Sequence, residues 1–187
     1  RDTGSGRAVS ESYRFRPKTA TATERSKVWV LTSGRTGDRA QLIGLAEQLG
    51  WPIEVKQLRY NVLSLLPNFL LGATRLTLKT SEFDIPNNSW PDLILDCGRR
   101  SVPIARWIRS RSNHTSRWVH LGRPWAPIKW FDLVVSTPQY RVLQRPNVMQ
   151  IALPFHLATA ERLAQAGAGW EQRLKELPKP WIAVLVG

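Results

Sequence analysis

Three short segments combine glycine with arginine, and each follows an apolar run that predicts a β-strand. The segments are Ser33, Gly34, Arg35, Thr36 and Gly37; Gly98, Arg99, Arg100 and Ser101; and Gly122 and Arg123. Guanidinium groups bind phosphate oxygens in bidentate fashion, and glycine lets backbone N–H groups approach an anion closely. Because the carboxyl ends of parallel strands meet at one edge of a sheet, we expect the three loops to form one crevice lined by their arginines. The sequence therefore predicts a site for a phosphate or pyrophosphate group.

Two acidic residues lie close to these loops. Asp38 falls near the start of the helix that is predicted after the first loop. Its side chain could cap that helix or pair with the helix dipole, or it could act as a general base that deprotonates an acceptor hydroxyl. Asp96, at the end of a predicted strand, could orient one of the arginines.

Other kinds of site find little support in the residue types. The spacing of His114, His120 and His156 does not match a metal site, and Cys97 is the single cysteine, so we predict neither a metal site nor an internal disulfide. No G-x-S-x-G motif is present, which leaves hydrolase chemistry unsupported. The G-x-x-G of the first loop matches neither the dinucleotide fingerprint nor the P-loop.

The charge is strongly positive and unevenly spread. The 187 residues carry a net charge of +13, and no acidic residue lies between Asp96 and Asp132, where eight basic residues alternate with four tryptophans. This pattern fits an anionic membrane surface, a phosphorylated ligand or a nucleic acid. Nucleic acid is the least favoured partner, because no RNP, KH or helix-turn-helix signature is evident. The alternative is a solvated basic face with the tryptophans packed inward.

A leucine-rich segment, 60–80, also lacks acidic residues up to Glu82. We interpret it as a helix that is broken by Pro67 and covers the sheet, or as an exposed apolar loop that touches lipid. No apolar run approaches the roughly 18 residues that a membrane-spanning helix needs.

The elements that must position these residues alternate along the chain. Apolar runs predict strands over 28–32, 53–58, 92–95, 118–121, 131–136 and 148–152, and helical periodicity covers 38–49, 101–111, 156–166 and 170–177. This alternation predicts an α/β fold with a Rossmann-like, doubly wound parallel sheet. We expect 1–27 to be a disordered leader, 28–177 to be this domain, and 178–187 to be a linker and the first strand of a second domain that the chain does not include.

Four segments together carry a resemblance to a known family. They are TSGRTGDRAQLIGLAEQLG, PDLILDCGRRSVPIA, HLGRPWAP and FDLVVSTPQY, with PWIAVLVG at the start of a second half. Over about residues 27–187 the chain resembles the N-terminal half of the plant mitochondrial-fission factor family and its bacterial relatives. That family is in turn similar to glycosyltransferases of the two-domain B type.

This resemblance implies a function for the whole protein. The chain would be the acceptor-side domain of a protein at the cytoplasmic face of a bacterial inner membrane, bound there to an anionic surface or a lipid-linked acceptor. The full protein would transfer sugar from a nucleotide sugar, bound mainly by the missing half, and would use no other cofactor. Asp38 would be its catalytic base, and the chain alone would be inactive. The alternative is a non-catalytic adaptor that recruits a partner to a membrane.

Overall fold

A computed structural model describes residues 26–33, 36–79 and 89–184. Within them, six strands form one sheet with helices packed against it. The strands are β1 (Val28–Thr32), β2 (Ile53–Gln57), β3 (Leu93–Cys97), β4 (Arg117–Leu121), β5 (Leu133–Ser136) and β6 (Val148–Gln150). The helices are α1 (Thr36–Leu49), α2 (Asn68–Leu71), α3 (Val102–Arg111) and α4 (Ala160–Leu174).

The sheet is parallel throughout, with the strand order β2-β1-β3-β4-β5-β6. The chain leaves β1 toward one side to form β2 and returns to the other side to form β3. The order therefore reverses between β1 and β3, and such a switch point opens a crevice at the carboxyl ends of the two strands. The predicted Rossmann-like, doubly wound sheet is confirmed.

Both faces of the sheet are covered by apolar side chains. Alternate residues of β1 point to opposite faces, so that Val28 and Val30 pack with α1 while Trp29 and Leu31 belong to the cluster that includes α3. Four apolar residues of α3 are fully buried: Val102, Ile104, Ala105 and Ile108. This burial on two faces explains why the strands read as continuous apolar runs.

Two predicted boundaries differ from the structure. The helices expected over 156–166 and 170–177 are one helix, α4, whose first turn is capped by the Thr159 hydroxyl accepting from the Arg162 N–H. Gly167 and Gly169 cost helix stability without breaking the helix. Residues 181–184 form no strand, and 185–187 and most of the predicted leader lie outside the described residues. The leader and the second domain therefore stay predictions.

The leucine-rich segment does not form one helix across the sheet. It forms a 3-10 turn (Val62–Leu65) and the single-turn α2, separated by Pro67. Most of its larger apolar side chains are exposed, whereas Leu78 is buried in the core. The expectation of a covering helix was wrong, because proline prevents a helix long enough to pack across the strands. None of the helices in the described ranges has the length and apolar character to cross a bilayer.

Candidate functional site

The three glycine- and arginine-bearing loops follow β1, β3 and β4, which are parallel neighbours whose carboxyl ends share one edge of the sheet. Ser33 is exposed at the end of β1, and Thr36 and Gly37 open α1 on the protein surface. Gly34 and Arg35 lie outside the described residues. The shared edge was predicted correctly, whereas binding of an anion there remains a prediction.

Asp38 is the third residue of α1 and lies half-buried in its first turn. A carboxylate in this position interacts favourably with the positive end of the helix dipole. It is not the N-cap, because the helix already begins at Thr36. Its side chain forms no hydrogen bond or ion pair with another of the described residues. Its role as a base stays a prediction.

The loop after β3 is fixed by a buried carboxylate. Asp96 is fully buried and accepts hydrogen bonds from the Ser101 hydroxyl at 2.7 Å, from Trp118 Nε1 at 2.9 Å and from His120 Nδ1 at 2.7 Å. The expectation that Asp96 orients an arginine is therefore replaced by a different role. It connects the start of α3 to β4, and its position follows from the β3–β4 register, which places Asp96 opposite His120.

Arg99 reaches across to the leucine-rich segment. Its guanidinium donates hydrogen bonds to the carbonyl oxygens of Ser64 at 2.9 Å and Leu66 at 2.8 Å. The side-chain amide of Asn68, which is buried, donates in return to the carbonyl oxygens of Arg99 and Trp125. These four bonds hold the leucine-rich segment against the loops that follow β3 and β4. Part of the hydrogen-bonding capacity of Arg99 is thus used within the protein.

An open cavity of about 440 Å³ lies between α2 and the loop after β4. Its apolar walls are Pro67, Phe69, Trp125, Ala126, Pro127 and Trp130, and its polar lining residues are Asn68 and Arg99. The oxygen Oδ1 of Asn68 is buried without a hydrogen-bond partner among the described residues. Asn68 is a site residue that sequence reasoning missed, since no local motif marks it.

The other predicted arginines have different surroundings. Arg123 is exposed, and its guanidinium lies 4.8 Å from the centre of the Trp125 ring, which places it beside the cavity. Arg100 is also exposed and lies 5.9 Å from the Tyr60 ring. The structure therefore places Arg99 in the lining of the cavity, Arg123 against Trp125 and Arg100 near Tyr60.

The tryptophans between Asp96 and Asp132 do not all follow one interpretation, either binding of an anionic partner or packing into the protein beneath a basic surface. Trp118 is buried, and Trp107 and Trp130 are half-buried against the core, as the inward alternative predicts. Arg109 and Arg117 pair with Asp132 and so support the fold. Trp125 is the exception, because it is exposed beside the cavity.

Tyr60 is a second residue that the sequence did not single out. Burial raises the pKa of its phenol well above the usual range, and the nearby charge of Asp96 adds to this effect. Arg100 opposes the shift with its positive charge. The phenol is therefore a neutral hydrogen-bonding group at ordinary pH. In the described part of the chain, no three His, Cys, Asp or Glu side chains are placed to hold a metal ion.

Comparison with known proteins identifies relatives of this chain. An uncharacterised protein of Rickettsia prowazekii (strain Madrid E) is 33% identical over 109 residues, which cover 58% of this chain and 30% of that protein. The chain thus spans less than a third of the relative that it matches. No solved structure matches. The family model described as mitochondrial fission ELM1 matches residues 19–187, and the chain therefore belongs to that family.

Proposed function

We propose that this chain is the acceptor-side domain of a B-type glycosyltransferase-like protein at the cytoplasmic face of a bacterial membrane. The full protein transfers a sugar from a nucleotide donor to an envelope lipid or saccharide. The observation that supports this best is the cavity beside the carboxyl ends of β3 and β4, with apolar walls and Arg99 among its lining residues. Open α/β sheets bind ligands at this edge. The combination of apolar walls and an arginine in the cavity suits an acceptor that has both an anionic group and a hydrocarbon part.

The roles of individual residues follow from their places. Arg99 and Arg123 attract the anionic group of the acceptor, while Phe69 and Trp125 contact its apolar part. Asp38, at the edge beside β1, takes the proton of the attacking hydroxyl. The nucleotide sugar is bound mainly by residues of the full protein that lie outside this chain, so these residues alone do not turn it over.

A thermal-shift screen of the full-length protein against nucleotide sugars and free nucleotides tests the enzymatic part of the proposal. A ligand present at about 100 times its Kd stabilises the folded state by roughly 2.7 kcal/mol, so a donor raises Tm clearly. A flat response from a folded protein at saturating ligand contradicts the transferase. The Arg99→Ala/Arg100→Ala double variant then tests whether the acceptor binds at the carboxyl edge of the sheet. Unchanged acceptor binding and turnover in that variant contradict the placement of the acceptor.

A non-catalytic adaptor is the second candidate, because the matching family is described by mitochondrial fission rather than by a reaction. An adaptor binds a membrane or a partner protein without consuming any nucleotide sugar. Release of free nucleotide from a nucleotide sugar, measured with purified full-length protein and membrane extract, separates the two candidates. Sustained release favours the transferase, and its absence with intact membrane binding favours the adaptor.

A further inference from the structure

The leucine-rich segment exposes an unusual amount of apolar side chain. Val62, Leu65, Phe69, Leu70 and Leu76 are between 64% and 79% exposed, and Trp125 beside them is 59% exposed. Phe69 and Trp125 line the same cavity, and the Asn61 side chain donates to the Leu76 carbonyl oxygen at 2.7 Å. We name these six exposed side chains, which lie on the leucine-rich segment and on the loop after β4, the apolar face.

The polar groups behind the apolar face are largely bonded within the protein. Asn61 accepts from the Leu63 N–H and donates to the Leu76 and Leu78 carbonyl oxygens. Arg99 donates to the carbonyl oxygens of Ser64 and Leu66. Backbone groups that are already bonded can leave water at low cost, and this is the condition for entering lipid. The segment thus presents side chains to its surroundings while its own hydrogen bonds point inward.

Among the described residues, the exposed charges in the two stretches that carry the apolar face are basic. No acidic residue occurs within 55–81 or 97–131, the two stretches that form the face and its surroundings. Exposed basic residues in these stretches include Arg75, Lys79, Arg100, Arg123 and Lys129. A partner protein normally offers charges of both signs, whereas the surface of an anionic bilayer attracts a uniformly basic rim. Charge complementarity therefore favours lipid over a protein partner.

We propose that the apolar face inserts into the interfacial layer of an anionic lipid bilayer, with the basic residues around it bound to lipid headgroups. Trp125 lies at the depth where tryptophan is enriched in membrane proteins, between headgroups and hydrocarbon. The proposal rests on the proposed function for its membrane setting, and it assigns the surface by which the protein reaches its acceptor. The cavity shares Phe69 and Trp125 with this surface and opens beside the bilayer.

Vesicle sedimentation of the full-length protein tests the proposal. Vesicles of phosphatidylglycerol mixed with phosphatidylcholine are compared with vesicles of phosphatidylcholine alone. The Phe69→Ser/Leu70→Ser variant removes two side chains that are 77% and 64% exposed, so the fold should survive. The control is Leu143→Ser/Leu153→Ser, which removes side chains 69% and 72% exposed in the connections on either side of β6. Circular dichroism establishes that each variant is folded.

We expect the parent and the control to bind anionic vesicles and the Phe69/Leu70 variant to lose about tenfold or more in affinity. Added salt should weaken binding of the parent, because it screens the basic rim. Equal binding by the parent and the Phe69/Leu70 variant overturns the proposal. The proposal is also overturned if the parent does not bind anionic vesicles.

Hydrogen exchange identifies the contacting segment directly. Anionic vesicles should slow exchange within 62–71 and leave β6 unchanged. The proposal is overturned if exchange within 62–71 is unchanged by vesicles. It is also overturned if exchange there is already slow before vesicles are added, because the rest of the protein then covers the segment. The nucleotide-sugar screen has an independent outcome. Vesicle binding without nucleotide turnover removes the transferase alone, and turnover without vesicle binding removes the membrane face alone.

Discussion

His120 Nδ1 lies 2.7 Å from Asp96 Oδ1, and both side chains are fully buried on neighbouring strands. The same carboxylate accepts from Trp118 and from Ser101, the residue that precedes α3. A charged group is costly to bury unless donors surround it, and here three donors do so. The carboxylate thereby links the predicted ligand loop after β3 to the centre of the sheet.

Replacing Asp96 by Asn should destabilise the protein by about 3 kcal/mol or more. The neutral amide accepts more weakly from Trp118 and His120 than the carboxylate does, and its NH2 group replaces the oxygen that accepts from the Ser101 hydroxyl. Urea unfolding followed by tryptophan fluorescence measures the change. Asp92→Asn is the matched control, since Asp92 is exposed and accepts only from the Lys27 N–H in the described structure. A loss in the control as large as in the Asp96 variant would show that burial is not the cause.

The glycines of the predicted site should respond in opposite directions to alanine. Gly98 has a φ of +81°, which strains any residue with a side chain, although there is open space around it. We expect Gly98→Ala to cost about 1 to 3 kcal/mol of stability. Gly37 lies in the first turn of α1 with open space around it, so Gly37→Ala should stabilise by up to about 1 kcal/mol. The denaturant midpoint of each variant, compared with that of the parent, measures the change in stability. Midpoints that shift in the same direction for both variants would contradict the backbone argument.

Asn68 should matter for the position of α2 as well as for stability. Its amide donates to the carbonyl oxygens of Arg99 and Trp125, and Asn68→Ala removes both bonds at a cost of about 1 to 3 kcal/mol. Asn147→Ala is the control, because Asn147 donates likewise to two carbonyl oxygens, those of Ile128 and Phe131. Hydrogen exchange within 67–71 should accelerate in the Asn68 variant and not in the Asn147 variant. Equally accelerated exchange in both variants would mean that exchange in α2 depends only on the global stability of the protein.

The sequence was sufficient for the sheet, because the inner strands β1, β3 and β5 are buried on both faces and their apolar residues are contiguous. Val28, Val30 and Leu95 illustrate this, since each is buried and lies in a run of consecutive apolar residues. The parallel direction of the strands, predicted from the alternation of strands and helices, also placed the carboxyl ends before the three loops at one edge. Local periodicity similarly identified the buried face of α3.

The details of the site depended on contacts that local pattern does not contain. Arg99 bonds to residues 33 and 35 positions away, and Asn68 to one 57 positions away. An arginine after a strand can face solvent or donate to a carbonyl oxygen. Which of these occurs depends on whether a segment distant in sequence packs beside it. Gly-Arg spacing therefore located the loops and could not assign the partners of their guanidinium groups.

Tyr60 should make the protein less stable in alkali. Burial first, and the charge of Asp96 second, raise the pKa of its phenol in the folded state. The unfolded chain releases this proton near pH 10, whereas the folded protein holds it to a higher pH. The stability contributed by the neutral phenol is therefore complete below pH 10 and declines as the pH rises above it, by at most about 1.4 kcal/mol per pH unit.

Urea midpoints between pH 8 and 11 for the parent and for Tyr60→Phe measure this contribution. The phenylalanine variant retains the ring and has no proton to lose, so its stability should fall less steeply above pH 10. Tyr140→Phe, at an exposed position, should follow the parent. Other groups titrate in this range, and the comparison isolates Tyr60 because they are common to all three proteins. Parallel curves for the parent and the Tyr60 variant would show that the phenol ionises equally well in the folded and unfolded states.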